Sequence, residues 1–373
     1  MIEGKLGIIW TLDRICKWQC NYCCVDAFGV KIQDRNLQIT SNRFNHTEKQ
    51  PKSRQSQDIF RRANQILQDQ GLALTLTEKM KILDNLQGAN IEIGFSGGDP
   101  LLVQDNFQVI RRASDLFGRS NIGLTVTGIG IKLGKVENYL EHIAQLEFTY
   151  DSPVDDDENH QQPGYNRTNL EGFGSIVDAC KKEQVVTQAL IPISNTNKDP
   201  NTVDLLYSTL RQSRVDKVYL MRTFPVGRGS HSQTDILQAD DYRRVIQQYK
   251  QLQIQTSGPE VNVMCALRAL YPDTDPDPCT FLRSTIDLTS TGDLIADAFA
   301  YGPTGEPLLP ELVFGNLRKD KFADLISQDR LHRLADRIGE NPGHCKVFAY
   351  LSNRSAGIDG FFTRTDPLYM DQS

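Results

Sequence analysis

Cys16-Lys17-Trp18-Gln19-Cys20-Asn21-Tyr22-Cys23 follows directly on an apolar run at 6–12 that contains Ile and Trp. The run reads as a β-strand, and the three cysteines behind it sit at spacings of four and three on one short loop. Three thiolates on such a loop can converge on three irons of a cubane, leaving a fourth iron without a protein ligand and open to chelate something else. The competing readings are a disulfide pair and structural zinc. Zinc calls for four ligands, usually as a second Cys or His pair at set spacing, and no such pair follows nearby. Cys24 adjoins Cys23, so we expect its side chain to face away from the cluster as a small buried hydrophobe.

The spacing, with Tyr22 just before the third cysteine, resembles the signature of the radical S-adenosylmethionine (SAM) superfamily. The resemblance implies a [4Fe-4S] cluster on Cys16, Cys20 and Cys23, whose open iron chelates the amino and carboxylate groups of SAM. It also implies reductive cleavage of SAM to methionine and a 5′-deoxyadenosyl radical that abstracts hydrogen from carbon. An electron donor such as flavodoxin or ferredoxin belongs to that chemistry.

Outward from the loop, short β-rich runs alternate with longer helical patterns, the mark of parallel α/β architecture. The stretch 31–56 is polar, with few aliphatics, and we expect an insertion that is mobile or ordered only by a partner. Helical patterns follow at 57–68 and 77–86, the second opened by Thr75 with Glu78 three residues on. The next strand, 91–95, ends in Ser96-Gly97-Gly98-Asp99-Pro100. Two glycines at a strand end let the backbone approach a ligand closely. Gly97, Gly98 and Asp99 resemble the superfamily's Gly-Gly-Glu-Pro loop, which contacts the amino group of SAM; Asp for Glu is one methylene shorter.

A helix at 104–117 and a strand at 122–127 lead to Gly128-Ile129-Gly130-Ile131-Lys132-Leu133-Gly134. With Asp151 at the end of the next strand, this loop loosely imitates a dinucleotide-binding fingerprint and carries the rival reading, an NAD(P)-dependent oxidoreductase. Its last glycine is displaced, and the unit is not the first βαβ of the chain. The fourth strand, 146–151, holds Thr149-Tyr150-Asp151 and resembles the superfamily's Ser-x-Asp strand near the SAM ribose and carboxylate. Arg167 stands where relatives place an arginine suited to pairing bidentately with the SAM carboxylate. The acid run Asp155-Asp156-Asp157-Glu158 reads as a solvated face. The cofactor-binding set expected from the resemblance is Tyr22, Gly97, Gly98, Asp99, Thr127, Thr149, Arg167 and Met221.

Helices at 170–182 and 201–212 and strands at 185–193 and 217–221 complete six units, predicting a partial (β/α)6 TIM-like barrel over 1–240. Ligands then belong at the C-terminal strand ends, where the cysteine loop and the Gly-Gly loop both fall. Past the sixth strand, Pro225-Val226-Gly227-Arg228 looks like a turn common in radical SAM enzymes that carry a C-terminal auxiliary domain. From 241 a helix to 252, a hairpin at 286–295 and a helix at 322–338 resemble a small α+β SPASM or Twitch extension over 241–373. Such extensions bind auxiliary iron-sulfur clusters. Here Cys265, Cys279 and Cys345 stand near those positions, and Asp297 replaces the hairpin cysteine, so at most one further [4Fe-4S] cluster is expected. Cys180 reads as core.

The chain has 373 residues, 39% hydrophobic and 24% charged, with a formal net charge of -6. That balance offers no global basic footprint for nucleic acid. No run approaches a membrane span, and the eight cysteines suit metal binding in a reducing compartment, so we expect a cytoplasmic protein. Radical SAM enzymes with such extensions often modify ribosomally made precursor peptides by crosslinking, epimerisation or excision. A peptide is therefore the expected substrate, a small molecule the alternative. With the barrel starting at residue 6, a separate leader-peptide recognition protein is an expected partner.

Overall fold

The computed structural model describes residues 4–49, 58–127, 136–152, 173–231, 237–270, 279–352 and 354–368. Strand β1 (Leu6–Asp13) buries Ile8, Trp10 and Leu12 in the main core, while Ile9 and Thr11 on its other face line an interior cavity. That alternation is the period of two of a strand covered by helices outside and a lumen inside. Four short strands come next in space: β2 (Ile15–Cys16), β3 (Phe28–Gln33), β4 (Asn36–Thr40) and β5 (Asn45–Lys49) form a sheet of their own in that order.

The region 31–49 is thus ordered, which corrects the expected mobile insertion. Its aliphatics Leu37 and Ile39 alternate along β4 and bury, with Val30 just before the region, against helix α1 (Ile59–Asp69), and Asp34 and Arg35 take the positive φ that a tight hairpin turn needs. Three well-placed apolar side chains outweigh a polar average.

Helix α2 (Leu76–Leu86) starts at Thr75 with the reciprocal Thr75–Glu78 capping box. The chain then alternates β6 (Ile91–Gly97), α3 (Asp105–Phe117), β7 (Ile122–Val126), β8 (Gln145–Thr149), α4 (Phe173–Lys182), β9 (Val186–Ile193), α5 (Pro200–Gln212) and β10 (Lys217–Arg222). Strands β1 and β6 to β10 lie side by side and parallel, the six strands of the expected partial barrel. Helix α6 (Ala239–Thr256) adds a further parallel strand, β11 (Glu260–Val263), beside β10.

At the other edge β12 (Thr285–Leu288) pairs parallel with β1, and β13 (Asp293–Ile295) and β14 (Val313–Asn316) follow antiparallel. The hairpin of the extension is therefore sewn into the barrel's own sheet. The helix expected over 322–338 is broken into α7 (Phe322–Ile326) and α8 (Asp329–Asp336), with Gln328 in extended backbone between them. Helices α9 (Lys346–Ser352) and α10 (Gly360–Thr363) end the described chain. Among the described residues no helix is long and apolar enough to cross a membrane.

A buried polar chain fastens helices to the first strand. Lys79 of α2 donates to Asn106 Oδ1 of α3 at 2.8 Å, and Asn106 Nδ2 donates to Asp13 at the end of β1 and to the Pro100 carbonyl at 3.0 Å. Burial raises the Asp13 carboxyl and lowers the Lys79 ammonium, and each one's charge offsets part of the other's shift. Lys79→Met leaves Asp13 without its counter-charge and should cost about 3 kcal/mol in urea unfolding. Adding Asp13→Asn should recover part of that loss.

Candidate functional site

The cysteine loop is tied at its base and at its tip. At the base β2 pairs with β3, Ile15 beside Phe28 and Cys16 beside Gly29, so residues 17–27 form a closed excursion. Gly29 leaves room there for the Gln19 side chain, since a Cβ would fall 2.4 Å from Gln19 Nε2, which itself donates to Thr40 Oγ1 at 2.6 Å. Backbone N–H groups point at two sulfurs: Trp18 N to Cys16 Sγ at 3.4 Å and Ala27 N to Cys23 Sγ at 3.3 Å. Burial pushes the Cys16 and Cys20 thiols up, and neighbouring thiolates add to it.

Asp26, fully buried, accepts from the Asn42 N–H and pairs with Arg14 at 3.5 Å and with Arg228 Nε at 3.3 Å. Arg228 reaches further into the loop. Its N–H donates to the Cys23 carbonyl at 2.8 Å, its Nη1 to the Cys20 carbonyl at 3.2 Å, and its Nη2 to the Ala27 carbonyl. The turn that carries it needs Gly227, at φ 54, since a Cβ there would sit 2.3 Å from the Cys24 carbonyl. Sequence reading singled out Arg228 as part of a turn motif; Arg14 and Asp26 gave no signal, because nothing in local spacing shows that residues 14, 26 and 228 meet.

The Gly-Gly loop lies against the entry to the cysteine loop. Gly98 N donates to the Asp13 carbonyl at 2.9 Å and Asp99 N to the Ile15 carbonyl at 2.7 Å. A Cβ on Gly97 or Gly98 would fall 2.0 Å from those same carbonyl oxygens. The approach these glycines permit is thus to the chain's own backbone. Asp99 is buried, with Oδ1 accepting from Leu101 N at 3.1 Å and Oδ2 from Thr127 Oγ1 at 2.6 Å, so its carboxylate braces the loop.

Both loops open onto one cavity of about 280 Å³, lined also by Tyr22, Thr127, Thr149 and Met221. Tyr22 donates its hydroxyl to Asp151. Cys24 lines the cavity as well, partly buried, and so is not turned fully away as expected. Arg167 and the loop 128–134 lie outside the described residues.

Three thiols on one cavity wall, two of them receiving backbone N–H groups, are the donor set and hydrogen bonding that an iron-sulfur cluster takes. Among the described residues no three His, Cys, Asp or Glu side chains close around a single metal ion. In the extension, the charges of Asp297 and Lys346 act on Cys279, and Cys345 N donates to Asp366. Burial pushes the Asp297 carboxyl up to about 6 against the pull of Phe299 N. Cys265 opens a short 3-10 turn, Cys265–Leu270, its side chain outside what is described. Cys180 is buried in the main core, its thiol pushed up to about 12 by burial.

Solved structures of SuiB and anSMEcpe share this fold. SuiB of Streptococcus suis bound to its precursor peptide SuiA matches with a TM-score of 0.62 at 12% identity, over 88% of this chain and 66% of that one. SuiB bound to S-adenosylmethionine matches at 0.60 and 13%, over 88% and 67%. Native anSMEcpe with bound AdoMet and the Cp18Cys peptide matches at 0.53 and 13%, over 88% and 82%. This chain therefore spans 66% of the SuiB chain. No protein-family model matches it, and no curated protein does.

Arg228→Met removes the fork that holds the loop carbonyls and should weaken cluster retention on the order of tenfold, read as iron and sulfide per chain after reconstitution. Arg228→Lys should restore only part of it, since an ammonium cannot reproduce the fork. Beside the loop, burial raises the Asp287 carboxyl to about 8 although Tyr301 donates to it. The folded state therefore keeps a proton that the unfolded chain releases near pH 4, and stability is lost progressively as pH rises from about 4 to about 8. Asp287→Asn should flatten that loss by at most about 4 kcal/mol between pH 5 and pH 9, measured by denaturant unfolding.

Proposed function

We propose that the protein is a radical SAM enzyme that abstracts hydrogen from a ribosomally made precursor peptide. The observation that carries this reading is the meeting of the Cys16, Cys20 and Cys23 loop with the Gly97-Gly98 loop at the C-terminal ends of β1 and β6, on one cavity. Two solved structures with this fold contain peptides, which favours a peptide over a small molecule.

Cys16, Cys20 and Cys23 would hold the cluster, and cluster and SAM together would supply a 5′-deoxyadenosyl radical. The chain's own residues do the rest. Backbone N–H groups at Trp18 and Ala27 stabilise thiolate charge, Arg228 holds the loop carbonyls, and Tyr22, Thr127, Thr149 and Met221 shape the wall that orients the ligand. Phe224 and Phe299, stacked at 3.9 Å, cover one side and help exclude water. Cys265, Cys279 and Cys345, with Asp297, are the residues available for an auxiliary cluster. A flavodoxin or ferredoxin as electron donor, a separate leader-peptide recognition protein and a cytoplasmic setting complete the proposal.

The test is anaerobic. Purified protein should contain iron and sulfide and form 5′-deoxyadenosine from SAM with dithionite, and a Cys16, Cys20, Cys23 triple-Ala variant should form none. About eight irons per chain would mean two clusters, and about four one. A colourless wild type that forms no deoxyadenosine under any reductant would sink the reading.

A further inference from the structure

Among the described residues that line the cavity, Glu147 is the one carboxylate and Arg222 the one Lys or Arg. Arg222 is already neutralised. Its Nη1 and Nη2 both donate to Asp366, Nη2 at 3.1 Å, and its guanidinium lies 3.4 Å from the Phe348 ring centre. Glu147 has no such partner: Oε2 accepts from Thr125 Oγ1 at 2.8 Å, and no Lys or Arg among the described residues pairs with it. Burial raises its carboxyl, as expected for a charge without a counter-ion.

Its place in the barrel is defined by register. Glu147 lies opposite Thr125 on the neighbouring strand, and the β6–β7 pairing carries the same row on to Ser96, itself opposite Thr11. Glu147 is two residues before Thr149 on the same face of β8, so it sits about 7 Å deeper than the strand ends where the cysteine and Gly-Gly loops meet. The cavity thus carries, below its mouth, a row of hydroxyl oxygens ending in an unpaired carboxylate, walled by Ile9 and Leu190. Such a row accepts hydrogen bonds and wants positive charge. A compact group with several N–H donors satisfies it.

We propose that Glu147 anchors the substrate by a primary ammonium or guanidinium group, the head of a Lys or Arg side chain in a peptide. The inference rests on the peptide-modifying reading and adds the chemical class of residue admitted to the cavity. Glu147 is a specificity residue in this account.

The test uses the reconstituted holoenzyme with SAM bound and three probes, n-butylammonium, n-propylguanidinium and n-pentanol, measured by ligand-observed NMR titration. Wild type should bind at least one cation about tenfold more tightly than n-pentanol, and Glu147→Gln should erase that preference while leaving n-pentanol and SAM affinities within about twofold. The idea is overturned if wild type binds neither cation more tightly than the alcohol, or if Glu147→Gln keeps the preference. It is equally overturned if Glu147→Gln weakens SAM by the same factor, which would give the carboxylate to the cofactor. Should Glu147→Gln lose n-pentanol binding too, Glu147→Asp decides: a retained cation preference supports the anchor and a lost one overturns it. Deoxyadenosine is scored separately in the same samples. Its absence in wild type counts against the radical reading alone, because the cation preference is read without turnover.

Discussion

Asp26 holds the site together. Its carboxylate is fully buried, and taking a charge out of water costs several kcal/mol unless it is paired and hydrogen-bonded. Two guanidiniums and a backbone N–H meet that cost from three directions: Arg14 at the end of β1, Arg228 in the turn after β10, and Asn42 between β4 and β5. Each arginine is spent twice. Arg14 also donates to the Thr304 carbonyl at 3.3 Å, and Arg228 also holds the Cys20 and Ala27 carbonyls. The barrel's first strand, its sixth, the small sheet and the C-terminal segment therefore share one electrostatic knot, with the cysteine loop strung across it.

A second buried pair closes the other side. Arg222, at the end of β10, is bound to Asp366 near the end of the described chain, and Asp366 also accepts from the N–H groups of Cys345 and Leu368. Cation–π contact with Phe348 and the Phe224–Phe299 stack add apolar closure beside it. The cavity is walled by strand ends on one side and by the extension on the other, and buried charge sets how the two meet. One consequence is chemical: with Arg222 neutralised by Asp366, Glu147 is the cavity carboxyl that no Lys or Arg among the described residues pairs with.

Glycines do a packing job beside the one that their motif suggests. Gly97 and Gly98 remove side chains where Asp13 and Ile15 carbonyls press in, and Gly227 does the same against Cys24. The ligand-facing loops are packed on each other's backbones, so the cavity's shape is fixed by contacts between loops.

How much of this was legible depends on range. Local rules placed the barrel strands, the Thr75 cap and the cysteine loop correctly, because alternation, capping and thiol spacing act over a few residues. They misjudged 31–49, where a polar average hid the buried pair Leu37 and Ile39, and 322–338, where helical spacing ran through a break at Gln328. Asp13, Lys79, Asn106, Asp26 and Asp366 carry no local signature; each matters because of a partner far away in sequence. By itself, then, the sequence determined the repeating strand and helix units and the placing of three cysteines on one loop, both short-range properties. Only the tertiary structure decided which charges neutralise one another and which cavity carboxylate is left, among the described residues, without a cation, since pairing of buried charge depends on distances that folding alone creates.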